Sequence, residues 1–222
     1  EEALLGVSIL GGLSNPQILT NESVLSRQSA YAVYVNELWA EKIGINPAAR
    51  VTCIKPDGNS SCVLESPFSG IHPAHHRKYF RRVQANKNDT VYQHFKNTNP
   101  HICEESTHSA TNTDDVITFP IAITNPNGII KNDLTAIQHL DIIKRVHLNW
   151  VKGGEKNNKK PTISHSVSCT VLVDDNEWEK VAQYLYTNRQ FFTAVSLLSR
   201  TGDKDFVQAP YEAVTAPEDF HI

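Results

Sequence analysis

The sequence has no methionine and only four cysteines, Cys53, Cys62, Cys103 and Cys169, none of them in a C-x-x-C pair. Four irregularly spaced cysteines in 222 residues are too few for a secreted disulfide framework, so a reducing, cytoplasmic setting is expected. No apolar run approaches the length of a membrane span, and no charged-then-apolar leader opens the chain, so no membrane association is expected. Neither sign of charge dominates. A net charge of -3 with 20% charged residues argues against a polybasic nucleic-acid surface and against an acidic tail. The Walker spacing G-x-x-x-x-G-K-[ST], the G-x-S-x-G elbow of serine hydrolases and the H-E-x-x-H of zinc proteases are also missing. A chain without methionine does not begin at its own start codon, and this one opens on a strand-like run, so it is expected to be a piece of a longer polypeptide.

What is present is 40% hydrophobic residues, enough to bury a sizeable core. Their periodicity alternates between strand and helix. Leu5 to Leu10 reads as a buried strand closed by Gly11 and Gly12. Ser23 to Ile43 reads as a helix capped by Asn21 and ended by Gly44 and Pro47, with Val24, Tyr31, Tyr34, Leu38 and Trp39 at helical spacing. Val51 to Ile54 is a short strand, and a short helix begins near Ser60. Tyr79 to Val83 is extended, Thr90 to Lys96 a short helix, and Val116 to Ile123 strongly β-prone despite Pro120. Leu134 to Val151 is the clearest helix, with Asn132 or Asp133 as cap and Gly153-Gly154 as stop. Val167 to Val173, Asn176 to Tyr186 and Phe191 to Leu198 read as strand, helix and strand. Such alternation implies an α/β fold of about five βα units with mainly parallel strands, without an evident linker.

One stretch stands out chemically. After Val51-Thr52-Cys53-Ile54, the turn Pro56-Asp57-Gly58-Asn59 leads into Ser60-Ser61 and an apolar helix. A strand, a Pro/Gly turn and a helix N-terminus present free amides to an anion; Gly58 permits close approach, and Ser60 and Ser61 add hydroxyls. The same spacing also describes an ordinary βα turn with a serine cap, and Asp57 beside a phosphate is repulsive unless it points away. His72, His75 and His76 precede Arg77, Arg81 and Arg82. Without ligand-spaced cysteines these histidines fit a structural or solvated stretch better than a metal site. Arg81 and Arg82 in a strand face opposite ways, so one of them is placed to meet a buried carboxylate. Cys169, inside an apolar run after His165-Ser166-Val167-Ser168, reads as a packed thiol rather than a nucleophile. Gln208-Ala209-Pro210-Tyr211-Glu212 reads as a turn closing a sheet.

Taken in order, these segments resemble the adenosylcobalamin-dependent (class II) ribonucleotide reductases. The resemblance is carried by Leu4-Leu5-Gly6-Val7-Ser8 with Asn15-Pro16, by Cys53-Ile54-Lys55-Pro56-Asp57-Gly58, and by Ser69-Gly70-Ile71-His72-Pro73 leading to Tyr79-Phe80-Arg81-Arg82-Val83. It continues through Asn112-Thr113-Asp114-Asp115-Val116, Phe119-Pro120-Ile121, Asn149-Trp150-Val151 and His165-Ser166-Val167-Ser168. It ends on Gly202-Asp203-Lys204-Asp205 and Gln208-Ala209-Pro210-Tyr211. Two positions depart from the family pattern: Asn59 stands where a Thr or Ser is usual, and Ser166 where an Asn is common.

The resemblance implies that residues 1–222 form the C-terminal half of the catalytic domain, the second half of a ten-stranded α/β barrel. It implies a phosphate-binding role for Pro56, Asp57, Gly58, Asn59, Ser60 and Ser61 toward a ribonucleoside di- or triphosphate. For the full-length enzyme it implies adenosylcobalamin as cofactor, thiyl-radical reduction to deoxyribonucleotides, deoxynucleotide effectors and a thioredoxin-type reductant. The family's finger loop, Asn-Pro-Cys-Gly-Glu, is absent, and none of the four cysteines matches a catalytic one. No catalytic residue is therefore expected in this chain, and unaided it should reduce nothing. Two other readings remain: a non-catalytic split subunit or relic that binds nucleotide or a complementary chain, and an oxygen-sensitive or iron-dependent reductase on the same barrel.

Overall fold

A computed structural model describes residues 3–160, 162–200 and 206–214. In chain order its elements are β1 (Leu4–Val7), α1 (Pro16–Leu19), α2 (Glu22–Ile43), β2 (Arg50–Thr52), α3 (Gly58–Val63), β3 (Lys78–Asn86), α4 (Thr90–Thr98), β4 (Cys103–Glu105), β5 (Asp114–Ala122), α5 (Ala136–Val146), β6 (Thr170–Val173), α6 (Trp178–Thr187), β7 (Ser196–Ser199) and β8 (Tyr211–Ala213). They form two compact units, residues 1–74 with 127–200 and residues 75–126 with 201–222. No linker composition in the sequence marks the boundary between them.

The first unit is built on parallel strands. Leu4 lies opposite Arg50 and Val7 opposite Thr52, so β1 and β2 pair parallel across the α2 crossover. β6 and β7 pair parallel from Thr170–Ser196 to Val173–Ser199, with α6 between them in sequence. A parallel bridge between Ile54 and Val167 joins the two pairs. The buried face carries Val51, Ile54, Val171 and Val173, each at most 2% exposed, with Leu140, Ile143 and Val146 of α5 in the same core. β1 is less covered than expected: Leu4, Leu5 and Val7 are all exposed.

Helix α2 has the bounds its punctuation predicts. The Asn21 side chain accepts the Val24 amide, and Gly44 closes the helix at a φ of 73°. Its buried stripe differs from the expected one. Leu25, Ser29, Val33 and Ala40 face the core, whereas Tyr31, Tyr34, Leu38 and Trp39 are exposed. The helix carries two apolar stripes, and the one of smaller residues is buried because its neighbour comes very close.

That neighbour is the end of α5. Thr135, not Asn132 or Asp133, caps α5, in a capping box with Gln138. The helix then widens into a π turn at His147–Val151 and tightens into a 3-10 turn at Lys152–Gly154. The Trp150 carbonyl accepts two hydroxyls, Ser29 Oγ at 2.7 Å and Thr52 Oγ1 at 2.5 Å, and the Trp150 indole donates to the Cys53 carbonyl at 2.9 Å. A Cβ on Gly153 would lie 2.6 Å from Ser29 Oγ, and one on Gly154 1.9 Å from Thr52 Oγ1. The glycine pair thus does more than stop a helix; it lets α5 lie against α2 and β2.

The second unit corrects the expectation of mainly parallel pairing. Its sheet runs β4-β5-β3-β8, every pair antiparallel, with β3 and β5 in register from Lys78–Ala122 to Asn86–Asp114. The sequence order β3-α4-β5 mimics a βαβ crossover, but antiparallel partners need no such helix. Pro120 is tolerated because β4 reaches only Asp115 to Ile117 of β5, leaving the strand open on that side at Pro120. The 208–212 turn does close this sheet, leading into β8 against β3. The Gly202–Asp205 motif lies outside the described residues.

Candidate functional site

The loop after β2 lies in the parallel unit, where the crevice beyond the strands' carboxyl ends is the usual ligand position of an α/β sheet. The chain leaves Thr52, bridges to the neighbouring strand at Ile54, and turns at Pro56 and Asp57 into α3. Asp57 adopts a left-handed conformation, φ 54° and ψ 33°, which aims its side chain backward. Its Oδ2 accepts Ser8 Oγ at 2.8 Å, and the same Ser8 oxygen accepts the Lys55 amide at 2.9 Å. The carboxylate is thereby held toward the end of β1, which answers the repulsion raised by its sequence position.

The front of the loop is free. Gly58, Asn59 and Ser60 are exposed, and their amides, in the first turn of α3, have no intrahelical acceptor. A Cβ on Gly58 would meet nothing within 4 Å. Ser61 differs from its expected role. It is 3% exposed and its hydroxyl donates to the Gly58 carbonyl at 2.7 Å, so it closes the turn and does not face outward. Cys62 Sγ donates to the same carbonyl at 3.0 Å. Ser60 is the loop's outward hydroxyl, with the Asn59 amide beside it.

Behind the loop stands the Ser69–His72 segment. Ser69 Oγ donates to the Pro56 carbonyl at 2.8 Å. Gly70, at a φ of 53°, lies so close that a Cβ there would come within 2.5 Å of the Lys55 carbonyl oxygen. His72 reaches back toward β6, and the adjoining core holds His139 of α5 and Cys169 at 3.2 Å. Burial drives the His139 imidazole down to about 4 and the Cys169 thiol up to about 12. Cys169 is therefore the packed thiol that its apolar run suggested, and the pair is neutral at ordinary pH. Burial also raises the Cys53 thiol and lowers His72 and His147.

These buried imidazoles give a pH dependence of definite sign. The unfolded His139 takes a proton near pH 6.5 and the folded one only near 4, so acid favours the unfolded chain in between. Stability is complete above pH 6.5 and falls as pH drops toward 4, by about 3 kcal/mol for a shift of this size. Urea titrations across this window are expected to show the slope. His139→Gln should remove its largest part and leave the contributions of His72 and His147. An unchanged slope in the variant would show that His139 is not its source.

The remaining sequence candidates are dispersed. His75 stacks on Tyr211 at 5.4 Å, and His76 contacts the Lys78 carbonyl at 3.1 Å. Arg81 lies over the Tyr211 ring, on the opposite strand face from Arg82. Arg82 pairs with Glu212 at 2.6 Å, but that carboxylate is 52% exposed rather than buried. Among the described residues no three or more His, Cys, Asp and Glu side chains gather as a metal site, and no helix is long and apolar enough to cross a membrane.

Sequence reasoning missed the buried carboxylate of the second unit, Asp115. It is wholly inaccessible, and it accepts the Tyr92 hydroxyl and the Lys96 ammonium, both at 2.6 Å. Lys87 lies 3.5 Å from its other oxygen. The available signal was Asp89 capping α4 three residues before Tyr92 and seven before Lys96, which puts both side chains on one helix face. Nothing in the sequence tied that face to Asp115.

No protein-family profile matches the chain, and no curated protein matches it. Among solved structures, a B-12 dependent (class II) ribonucleotide reductase is similar, with a TM-score of 0.71 and 19% sequence identity. The match covers 90% of this chain and 26% of that one. The chain thus shares the fold of a segment of that enzyme and spans about a quarter of its length.

Proposed function

We propose that the chain is the C-terminal part of the catalytic barrel of an adenosylcobalamin-dependent ribonucleotide reductase and supplies its substrate phosphate loop. The fold likeness over 90% of the chain supports the family, and so does the ordered run of motifs that includes the Lys-Pro-x-Gly loop. The observation that carries the site is the division of the 56–61 loop into two sides. Pro56 and Asp57 are tied down from behind, while Gly58, Asn59 and Ser60 are exposed and a Cβ on Gly58 would meet nothing within 4 Å. Backbone amides at a helix start suit the phosphates of a ribonucleoside di- or triphosphate, with Ser60 adding a hydroxyl. Ser61 holds the turn.

In the parent enzyme, radical chemistry would be supplied by bound adenosylcobalamin. No residue of this chain is assigned to cobalamin: His72 and His139 are engaged with partners in their own core. The thiyl cysteine and its glutamate belong to the finger loop, which this sequence lacks, and effector and reductant sites are likewise assigned to the full-length protein. The part played by this chain is to bind and orient the substrate.

Titration calorimetry with a ribonucleoside triphosphate, comparing the wild-type chain with Gly58→Val, tests the loop. The fold leaves room for the new side chain, so stability should hold while a phosphate loses its close approach. An affinity loss of about tenfold or more is expected, equivalent to about 1.4 kcal/mol. Equal affinities would count against the assignment.

A further inference from the structure

We infer that His72 is a positioning residue for the phosphate loop, acting through Ser69, an inference that rests on the phosphate-loop reading above. The geometry fixes its tautomer. His72 Nε2 accepts the Thr170 amide at 3.0 Å, so the ring proton sits on Nδ1 and is donated to the Ser69 carbonyl at 2.9 Å. The Ser69 carbonyl also accepts the His72 amide at 2.9 Å, so the 69–72 turn is closed twice by one residue. From that turn, Ser69 Oγ donates to the Pro56 carbonyl, immediately before the phosphate-facing residues. Gly70 lies flat against the Lys55 carbonyl on the same side.

A continuous path of hydrogen bonds thus runs from β6 through His72 and Ser69 to Pro56. Ser8 provides the second tether, to Asp57 and Lys55. Without the Nδ1 donor, the Ser69 carbonyl loses one of its two donors and the hydroxyl beside it loses its aim. The loop backbone then moves, and preorganisation, which determines how much of the phosphate's interaction survives as affinity, is lost.

The two ring nitrogens separate positioning from mere packing. An Asn at 72 carries its amide nitrogen at the place of Nδ1, retaining the donor to Ser69 and losing the acceptor for Thr170. A Gln reaches the place of Nε2 and keeps the acceptor while losing the donor. Each variant gives up one hydrogen bond, so a merely structural histidine would respond to both alike.

Calorimetric titration of the 222-residue chain with a ribonucleoside triphosphate is expected to give His72→Asn near wild-type affinity and His72→Gln about tenfold weaker. Should either variant fail to fold, Ser69→Thr and Ser69→Ala make the same comparison one step along the path. Thr keeps the hydroxyl and the affinity; Ala loses both. Equal affinities within the tested pair would overturn the inference and leave the phosphate loop standing, provided that Gly58→Val still weakens binding. No binding by the wild-type chain, or wild-type binding by Gly58→Val, would overturn the loop reading and this inference with it.

Discussion

Gly154→Ala is expected to be among the most destabilising single changes in the first unit, although it adds only one methyl group. The new Cβ would lie 1.9 Å from Thr52 Oγ1, 2.8 Å from the Thr52 amide nitrogen and 2.9 Å from its Cβ. Two of these three atoms are backbone or its first branch in a fully buried strand, so rotation of a side chain cannot relieve them. Overpacking a rigid core costs about 1–3 kcal/mol, and a clash with a central strand belongs at or above the upper figure. The Thr52 hydroxyl would also have to leave the Trp150 carbonyl, which it shares with Ser29. Urea unfolding followed by tryptophan fluorescence should show the midpoint falling by an amount equivalent to about 3 kcal/mol. Adding Thr52→Ala should recover only part of the loss, because the amide and Cβ contacts remain. Full recovery would mean that the hydroxyl alone sets the spacing; no loss in the single variant would mean that the α5 end yields more easily than this packing suggests.

The same contact explains what the sequence did and did not reveal. Punctuation was legible: Asn21 and Gly44 bound α2, and Pro56 to Ser61 marked the turn into α3. These signals act through local backbone chemistry and need no partner. The orientation of α2 was not legible. Its large apolar residues, Tyr31, Tyr34, Leu38 and Trp39, suggested the core face, but the close approach of Gly153 to Ser29 buries the stripe that Ser29 shares with Leu25, Val33 and Ala40 instead. Which stripe is buried depends on a neighbour more than a hundred residues away. Sheet direction in the second unit failed for a related reason, since β3, α4 and β5 follow one another as a crossover would, and only pairing partners distinguish the two cases. At the loop, the residues were legible and their roles only partly so. The sequence could not show that Asp57 would turn back to Ser8, or that Ser61 would cap its own turn.

Asp115→Asn is expected to destabilise the second unit strongly. The carboxylate is completely buried, yet it holds its charge. Burial opposes ionisation, but the hydrogen bonds from Lys96 and Tyr92, helped by Lys87, outweigh it and keep the group below the usual carboxylate range. Burial and the contact with Asp115 in turn raise Tyr92, so the phenol keeps its proton and acts as donor. The hydrogen bond to Asp115 likewise raises Lys96. The three side chains clamp α4 onto β5, and the amide cannot neutralise two lysines. Removing one partner of a buried pair costs about 3–5 kcal/mol, and the lower figure applies because Lys96 keeps 44% of its side chain in water. Asp115→Leu also takes from the Tyr92 hydroxyl its acceptor at 2.6 Å and should cost more. The pH dependence has the opposite origin to that of the histidines but the same sign. The folded carboxyl titrates below the unfolded value of about 3.8, so its stabilisation is present above that pH and is lost as acid protonates the folded form. Amide hydrogen exchange along β5 should therefore accelerate in the Asn variant at neutral pH, and wild type and variant should converge in strong acid. If they remain apart there, the loss lies in packing rather than charge; if exchange is unchanged at neutral pH, the clamp is not what secures α4.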